Sequence, residues 1–250
     1  MSGFRAACRL VAGILHVFTG LWIMLTILPR LSEPERQARV VQWSGQFLRR
    51  LGIQFQVEGP VPTQGPLLLV ANHISWVDIP VVHAACFCRF ISKSDVRHWP
   101  LIGMMADRVG TLFIERQSKR DAMRVVHDMA HSLAQGDVLT VFPEGTTSDG
   151  RGVLPFHANL LQAAISANAP VQPLALCFVD SRTGLFSDSA CYVGDDALVT
   201  AIWRTLKAPG ITVILKFGEP QYAQGRSRRA WASDLHACVL RATQSGQQRP

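Results

Sequence analysis

From Ile53 onward the chain is punctuated by seven short apolar runs: Ile53 to Val57, Leu67 to Ala71, Arg89 to Ser92, Thr111 to Glu115, Val138 to Phe142, Val171 to Phe178 and Ile211 to Phe217. Their length and bounding residues predict strands. Helical stretches are expected between them at Asp78 to Ala85, Pro100 to Val109, Lys119 to Gln135, Ala158 to Ala167 and Ala197 to Leu206, with a last one near Arg229 to Arg241. Gly136 is suited to cap the helix that ends at Gln135. Strands alternating with helices predict an α/β fold, a mixed and largely parallel sheet flanked by helices. The sequence has 250 residues and shows no internal repeat or Pro/Gly/Ser linker, so residues 53–250 read as one α/β domain and 1–52 as an N-terminal appendage.

That appendage is apolar in a way a soluble core does not require. Leu10 to Leu28 carries no formal charge over nineteen residues, just enough to cross a hydrocarbon core of about 30 Å. No small-residue cleavage site follows it, so it reads as a retained membrane segment and not as a signal peptide. Glu35 to Ile53 then sets Val40, Trp43, Phe47, Leu48 and Leu51 against Arg36, Arg39, Arg49 and Arg50. This pattern suits an amphipathic helix on an anionic membrane, and equally a helix packed on the catalytic core. The two segments together are expected to anchor the chain, as a membrane-embedded helix or as a helical hairpin dipping into one leaflet. Basic residues at both ends of the apolar run leave its orientation open.

The formal net charge of +7 suits either nucleic acid or an anionic membrane surface. The basic residues are scattered, without zinc-finger spacing or an aromatic-basic signature, which argues against nucleic acid. Six cysteines (Cys8, Cys86, Cys88, Cys177, Cys191 and Cys238) lie in apolar surroundings with no CxxC pair. They are expected to be free thiols, and no metal site is expected.

Three strands end in polar residues that can do chemistry. Leu67 to Ala71 runs directly into Asn72-His73-Ile74-Ser75-Trp76-Val77-Asp78. In open α/β sheets ligands bind beyond the carboxyl ends of strands, where a histidine held by a carboxylate is a ready general base. Residues five apart on a helix are rotated by about 140°. His73 and Asp78 therefore meet only if the histidine precedes the helix and the aspartate lies in its first turns. A competing account makes Ser75 an N-cap with Asp78 as the carboxylate of a capping box. Thr111 to Glu115 ends at Glu115-Arg116, and Val138 to Phe142 ends at Pro143-Glu144-Gly145-Thr146-Thr147-Ser148.

These blocks, with Val171-Gln172-Pro173-Leu174 downstream, appear in the order Asn-His-x-x-x-x-Asp, Phe-x-x-Arg, Phe-Pro-Glu-Gly-Thr-x-Ser and apolar-Pro-apolar. The chain thereby resembles the glycerolipid acyltransferases of the 1-acylglycerol-3-phosphate (lysophosphatidic acid) acyltransferase type from about residue 50 to 220. The resemblance implies that His73 and Asp78 form the catalytic pair. It implies that Arg116 clamps a phosphate and that Glu144, Gly145, Thr146 and Lys93 contribute to substrate binding. It also implies transfer from an acyl-CoA or acyl carrier protein thioester to lysophosphatidic acid, with no cofactor, at the cytoplasmic face of the inner membrane. Where relatives often have Phe-Lys-x-Gly, this chain reads Phe156-His157-Ala158-Asn159. The acceptor head group is therefore the part of the expectation most in question, and a lyso-ornithine lipid is the alternative. A serine hydrolase is disfavoured because no G-x-S-x-G elbow is present. A non-catalytic lipid-binding protein would have no need of a base and an anion clamp at one sheet edge.

Overall fold

The computed structural model describes residues 2–114, 119–194 and 196–247. Two helices open the chain, α1 (Ser2–Thr26) and α2 (Glu33–Leu51). The strands are β1 (Ile53–Glu58), β2 (Leu67–Ala71), β3 (Arg89–Lys93), β4 (Leu112–Ile114), β5 (Val138–Val141), β6 (Val171–Asp180) and β7 (Ile211–Phe217). The intervening helices are α3 (Asp78–Ala85), α4 (Ile102–Arg108), α5 (Lys119–Ala134), α6 (Leu161–Ser166), α7 (Leu198–Lys207) and α8 (Arg228–Gln247).

The strands form one sheet in the order β1-β7-β6-β2-β5-β3-β4. Among the described strands β6 and β7 pair antiparallel, and the other neighbours run parallel. This is the mixed, largely parallel sheet expected from the sequence. β2 is its centre and is buried along its whole length. Leu67, Leu69 and Ala71 enter a core layer shared with Leu48 and Leu51 of α2, Val81 and Val82 of α3, and Leu206 of α7. Leu68 and Val70 enter the opposite layer with Val125, Met129 and Leu133 of α5 and with Trp231 and Leu235 of α8. Period-two alternation thus supplies both layers from one strand, as a sheet covered on both faces requires.

Three helical stretches differ from the sequence expectation. The Pro100 to Val109 stretch begins as α-helix only at Ile102, because Leu101 sits at φ 64°, a left-handed conformation a helix cannot propagate. Ala158 to Ala167 splits into a 3-10 turn at Ala158–Leu160 followed by α6. α8 extends beyond the expected Arg229 to Arg241 to cover Arg228–Gln247.

α1 and α2 pack as a hairpin. Gly13 and Gly20 make the close approach possible, since a Cβ would lie 2.7 Å from Leu51 Cδ2 at the first and 2.6 Å from Trp43 Nε1 at the second. Between them His16 stacks on Trp43 at 4.8 Å. Its Nδ1 accepts Arg50 Nε–H at 3.0 Å, which leaves Nε2 to donate to the Trp43 carbonyl at 3.0 Å. α2 buries Val40, Ser44, Leu48 and Leu51 and packs on α3. Of the two readings of its amphipathic pattern, core packing accounts for that apolar side. The small buried face of α1 lies about half a turn from a stripe of Phe4, Val11, Leu15, Phe18 and Trp22, all of them exposed. Among the described residues, this is the one helix long and apolar enough to cross a membrane.

Candidate active site

Parallel pairing brings the carboxyl ends of β2, β3, β4 and β5 to one edge of the sheet. Val70 pairs with Val141, so continuing both strands by three residues sets His73 beside Glu144. Asn72, fully buried, extends this order past the end of β2. Its Nδ2 donates to the Leu176 carbonyl at 3.0 Å, and its Oδ1 accepts the Leu176 N–H at 2.8 Å. A side-chain amide thus takes the place of a backbone ladder partner and pins the histidine loop to β6.

Both backbone polar groups of His73 are held by the loop after β5. Its N–H donates to Glu144 Oε1 at 2.7 Å. Its carbonyl accepts the Ser148 N–H at 2.8 Å and the Ser148 hydroxyl at 3.2 Å. The ring stacks flat on Phe142, centroids 4.0 Å apart and planes 9° apart. Nδ1 lies 2.7 Å from Asp78 Oδ2, with the histidine side chain 21% exposed and the aspartate fully buried. The same Oδ2 accepts the N–H groups of Ile74 at 2.7 Å and Ser75 at 2.9 Å. An oxygen collecting three donors is that of an ionised carboxylate, so Nδ1 carries the proton and Nε2 keeps a free lone pair.

Asp78 therefore does two jobs, and the capping-box account needs correction. α3 begins at Asp78 itself, its N-cap is Val77, and no side-chain bond caps the helix. Ser75 instead accepts the Val77 N–H at 3.2 Å within the turn. The carboxylate does reach back to the Ser75 N–H as a capping-box acid would, but the same oxygen also orients the imidazole.

Glu144 is 4% exposed, and its second oxygen accepts the Leu154 N–H at 2.9 Å. Burial pushes its carboxyl up to about 7, against the opposing pull of the two N–H donors. Gly145 closes the turn through an N–H bond to the Phe142 carbonyl at 3.1 Å. It does so at φ 74°, where a side chain would be strained. Lys93 is exposed at the carboxyl end of β3. Thr146 is exposed on the rim, whereas Ser148 is buried and turned onto the histidine carbonyl. Arg116 and Glu115 lie outside the described residues, and β4, which leads to them, ends at this same edge. Sequence reasoning assigned no role to Asn72, Phe142 or the Leu154 N–H. Asn72 and Phe142 were visible as polar and aromatic residues at strand ends, while the Leu154 contact had no signal in the sequence.

A family model described as Acyltransferase matches residues 52–177. The lyso-ornithine lipid O-acyltransferase of Pseudomonas aeruginosa is 35% identical over 231 residues, covering 91% of this chain and 88% of the relative. The 1-acyl-sn-glycerol-3-phosphate acyltransferase of Neisseria meningitidis is 37% identical over 186 residues, covering 74% and 72%. The crystal structure of the Thermotoga maritima 1-acyl-sn-glycerophosphate acyltransferase superposes over 100% of both chains with a TM-score of 0.71 at 21% identity, a likeness of fold. Family match, extended identity and shared fold agree: this chain belongs to the acyltransferase family.

Proposed function

We propose that the chain moves a fatty acyl group from a thioester of coenzyme A or acyl carrier protein to the free hydroxyl of a lysolipid, with lysophosphatidic acid as acceptor and phosphatidic acid as product. The observation that carries this reading is the His73 and Asp78 pair, with Nδ1 2.7 Å from a fully buried carboxylate. Nε2 removes the acceptor hydroxyl proton as the oxygen attacks the thioester carbonyl. Asp78 and the Phe142 face stabilise the imidazolium that forms. Collapse of the tetrahedral intermediate breaks the C–S bond, and the imidazolium returns its proton to the departing thiolate sulfur. The products are an ester and a free thiol, and neither a covalent acyl-enzyme nor a cofactor is required. Arg116 is assigned the acceptor phosphate, because a guanidinium binds phosphate oxygens through two parallel hydrogen bonds. Lys93, Gly145 and Thr146 are assigned to substrate binding as well. Glu144 acts mainly on His73, with lone pairs left over for an acceptor hydroxyl.

A second acceptor, a lyso-ornithine lipid, is favoured by the Pseudomonas relative, whose name specifies it and which matches the longer share of this chain. The exposed stripe of α1 is proposed to lie in the cytoplasmic leaflet of the inner membrane, where an amphiphilic acceptor resides.

The test incubates purified protein in lipid with a labelled acyl thioester and either lysophosphatidic acid or lyso-ornithine lipid, scoring acylated lipid and free thiol. Equal amounts of both products with one acceptor, abolished by His73→Ala, are expected and name the head group. Thiol release without acylated lipid would point to a hydrolase, and no turnover with either acceptor would leave a lipid-binding protein.

A further inference from the structure

Away from the catalytic edge, three arginines from three separate segments line one pocket of about 340 Å³: Arg9 of α1, Arg49 of α2, and Arg182 just beyond β6. Arg9 and Arg182 are each placed by a distinct local device. Arg9 Nη1 donates to the carbonyls of Leu206 at 3.0 Å and Ala208 at 2.8 Å, which secures the side chain to the end of α7. Its Nη2 and Nε lie over Gly52, where a Cβ would come within 2.2 Å and 2.5 Å of them. Gly52 sits at φ 74° as the C-cap of α2, so the residue that ends the helix also makes room for the guanidinium. Arg182 is set by a turn in which Asp180 Oδ1 accepts its N–H at 2.9 Å. The Asp180 carboxylate lies 3.6 Å from the Arg182 guanidinium. Ser181 contributes to the wall while its hydroxyl bonds Thr212 at 2.9 Å. Arg49 is exposed and, among the described residues, has no acidic partner.

One carboxylate against three guanidiniums leaves a concave site with surplus positive charge and forked donors. Surface arginines that serve only solubility spread apart, whereas these converge on one cavity. One of them is secured to a neighbouring helix end by Nη1, with its guanidinium packed over Gly52 in the wall of the pocket. The matching ligand is a phosphate group, whose oxygens take paired N–H donors from more than one guanidinium. The pocket lies at the open end of the α1 and α2 hairpin, on the side of α1 away from its exposed apolar stripe. Beside a helix lying in a leaflet, that is the depth of the lipid head groups.

We propose that the Arg9, Arg49 and Arg182 pocket is a second anion site that holds the phosphate of an anionic phospholipid, separate from the acceptor site at the sheet edge. It seats the hairpin on the membrane at a fixed depth, and it stands whether or not the catalytic reading above is correct. A phosphate group is recognised in either case, so inorganic phosphate serves as the competing source.

The test uses the full chain in nanodiscs of phosphatidylcholine with and without phosphatidylglycerol, and counts lipids retained by native mass spectrometry. The double variant Arg49→Gln/Arg182→Gln is compared with Arg228→Gln/Arg229→Gln, which removes the same charge from the exposed start of α8. Arg9 is left intact because it ties α1 to α7. One retained phosphatidylglycerol is expected in wild type and in the α8 variant, with about tenfold weaker retention in the pocket variant. In a parallel arm, inorganic phosphate is titrated against lipid-free protein in detergent while the melting temperature is followed. A phosphate-dependent rise seen in wild type and lost only in the pocket variant supports the site with free phosphate as ligand. Equal lipid retention by both variants, together with no variant-specific response to phosphate, overturns the proposal.

Discussion

Glu144 grips His73 by its backbone: Oε1 accepts the histidine N–H at 2.7 Å, while Oε2 accepts the Leu154 N–H at 2.9 Å. The acid thereby couples the loop after β2 to two points of the loop after β5. Glu144→Ala orphans both donors, at about 1–3 kcal/mol each. Glu144→Gln keeps one bond but turns its amide NH₂ against the other N–H. Both variants should melt lower than wild type, and their turnover should fall more through kcat than through KM, measured by thiol release across acceptor concentrations. A change confined to KM would show that the acid acts on the acceptor alone.

The pair itself responds differently. His73→Ala leaves both backbone groups of residue 73 in place to hold the loop, so the fold should survive while turnover drops by about 10²–10⁴. Asp78→Asn loses an ionised oxygen that serves three donors and frees the imidazole to adopt the other tautomer. It should lose both activity and melting temperature. Circular dichroism melts beside rate assays separate the two outcomes.

Two buried groups should set opposing pH dependences of stability. The Glu144 carboxyl, pushed by burial up to about 7, favours the protonated form in the folded state. Its contribution is present at low pH and is lost as pH rises from the unfolded value near 4.5 through 7. Burial lowers His83 to about 4, so its contribution is present above 6.5 and is lost as pH falls toward 4. Each spans about 3 kcal/mol at most. Relative to wild type, Glu144→Gln should gain stability with rising pH across this range, and His83→Leu should gain it with falling pH. Urea unfolding at pH 5, 6 and 7 checks both slopes, and parallel curves for all three proteins would refute the assignment.

Glycines in the hairpin should divide by what faces them. At Gly20 a Cβ lies 2.6 Å from Trp43 Nε1, whereas at Gly45 nothing lies within 4 Å. Gly20→Val should prise α1 from α2 at about 1–3 kcal/mol, visible as altered Trp43 fluorescence. Gly45→Ala should instead raise stability by roughly 1 kcal/mol through helix propensity.

The strand runs were legible because a short apolar run and its bounding residues are local signals: Leu67 to Ala71 reads as a buried strand and is β2. The His73 and Asp78 pair was implied by the family resemblance, with helix geometry setting only the condition that the histidine precede the helix. What sequence reasoning missed depends on partners far along the chain. Nothing near Ser148 announces that it serves the His73 carbonyl, since sheet register brings the two together. Ser75 read as an N-cap because residue type signals a cap, but where the helix begins depends on tertiary contacts. The amphipathic pattern of α2 suited a membrane or a protein neighbour equally, and its Leu48 and Leu51 share a core layer with Val81 and Val82 of α3.

The bonds that fasten the histidine loop join residues 71, 75 and 104 positions apart, to Glu144, Ser148 and Leu176. No fragment ending short of Leu176 contains all of these partners. On the ribosome, or during refolding, the frame around His73 is therefore completed only after the central strands have paired, a late and non-local event. A half-made chain already holds His73 and Asp78 but lacks the long-range partners that fasten the loop between them.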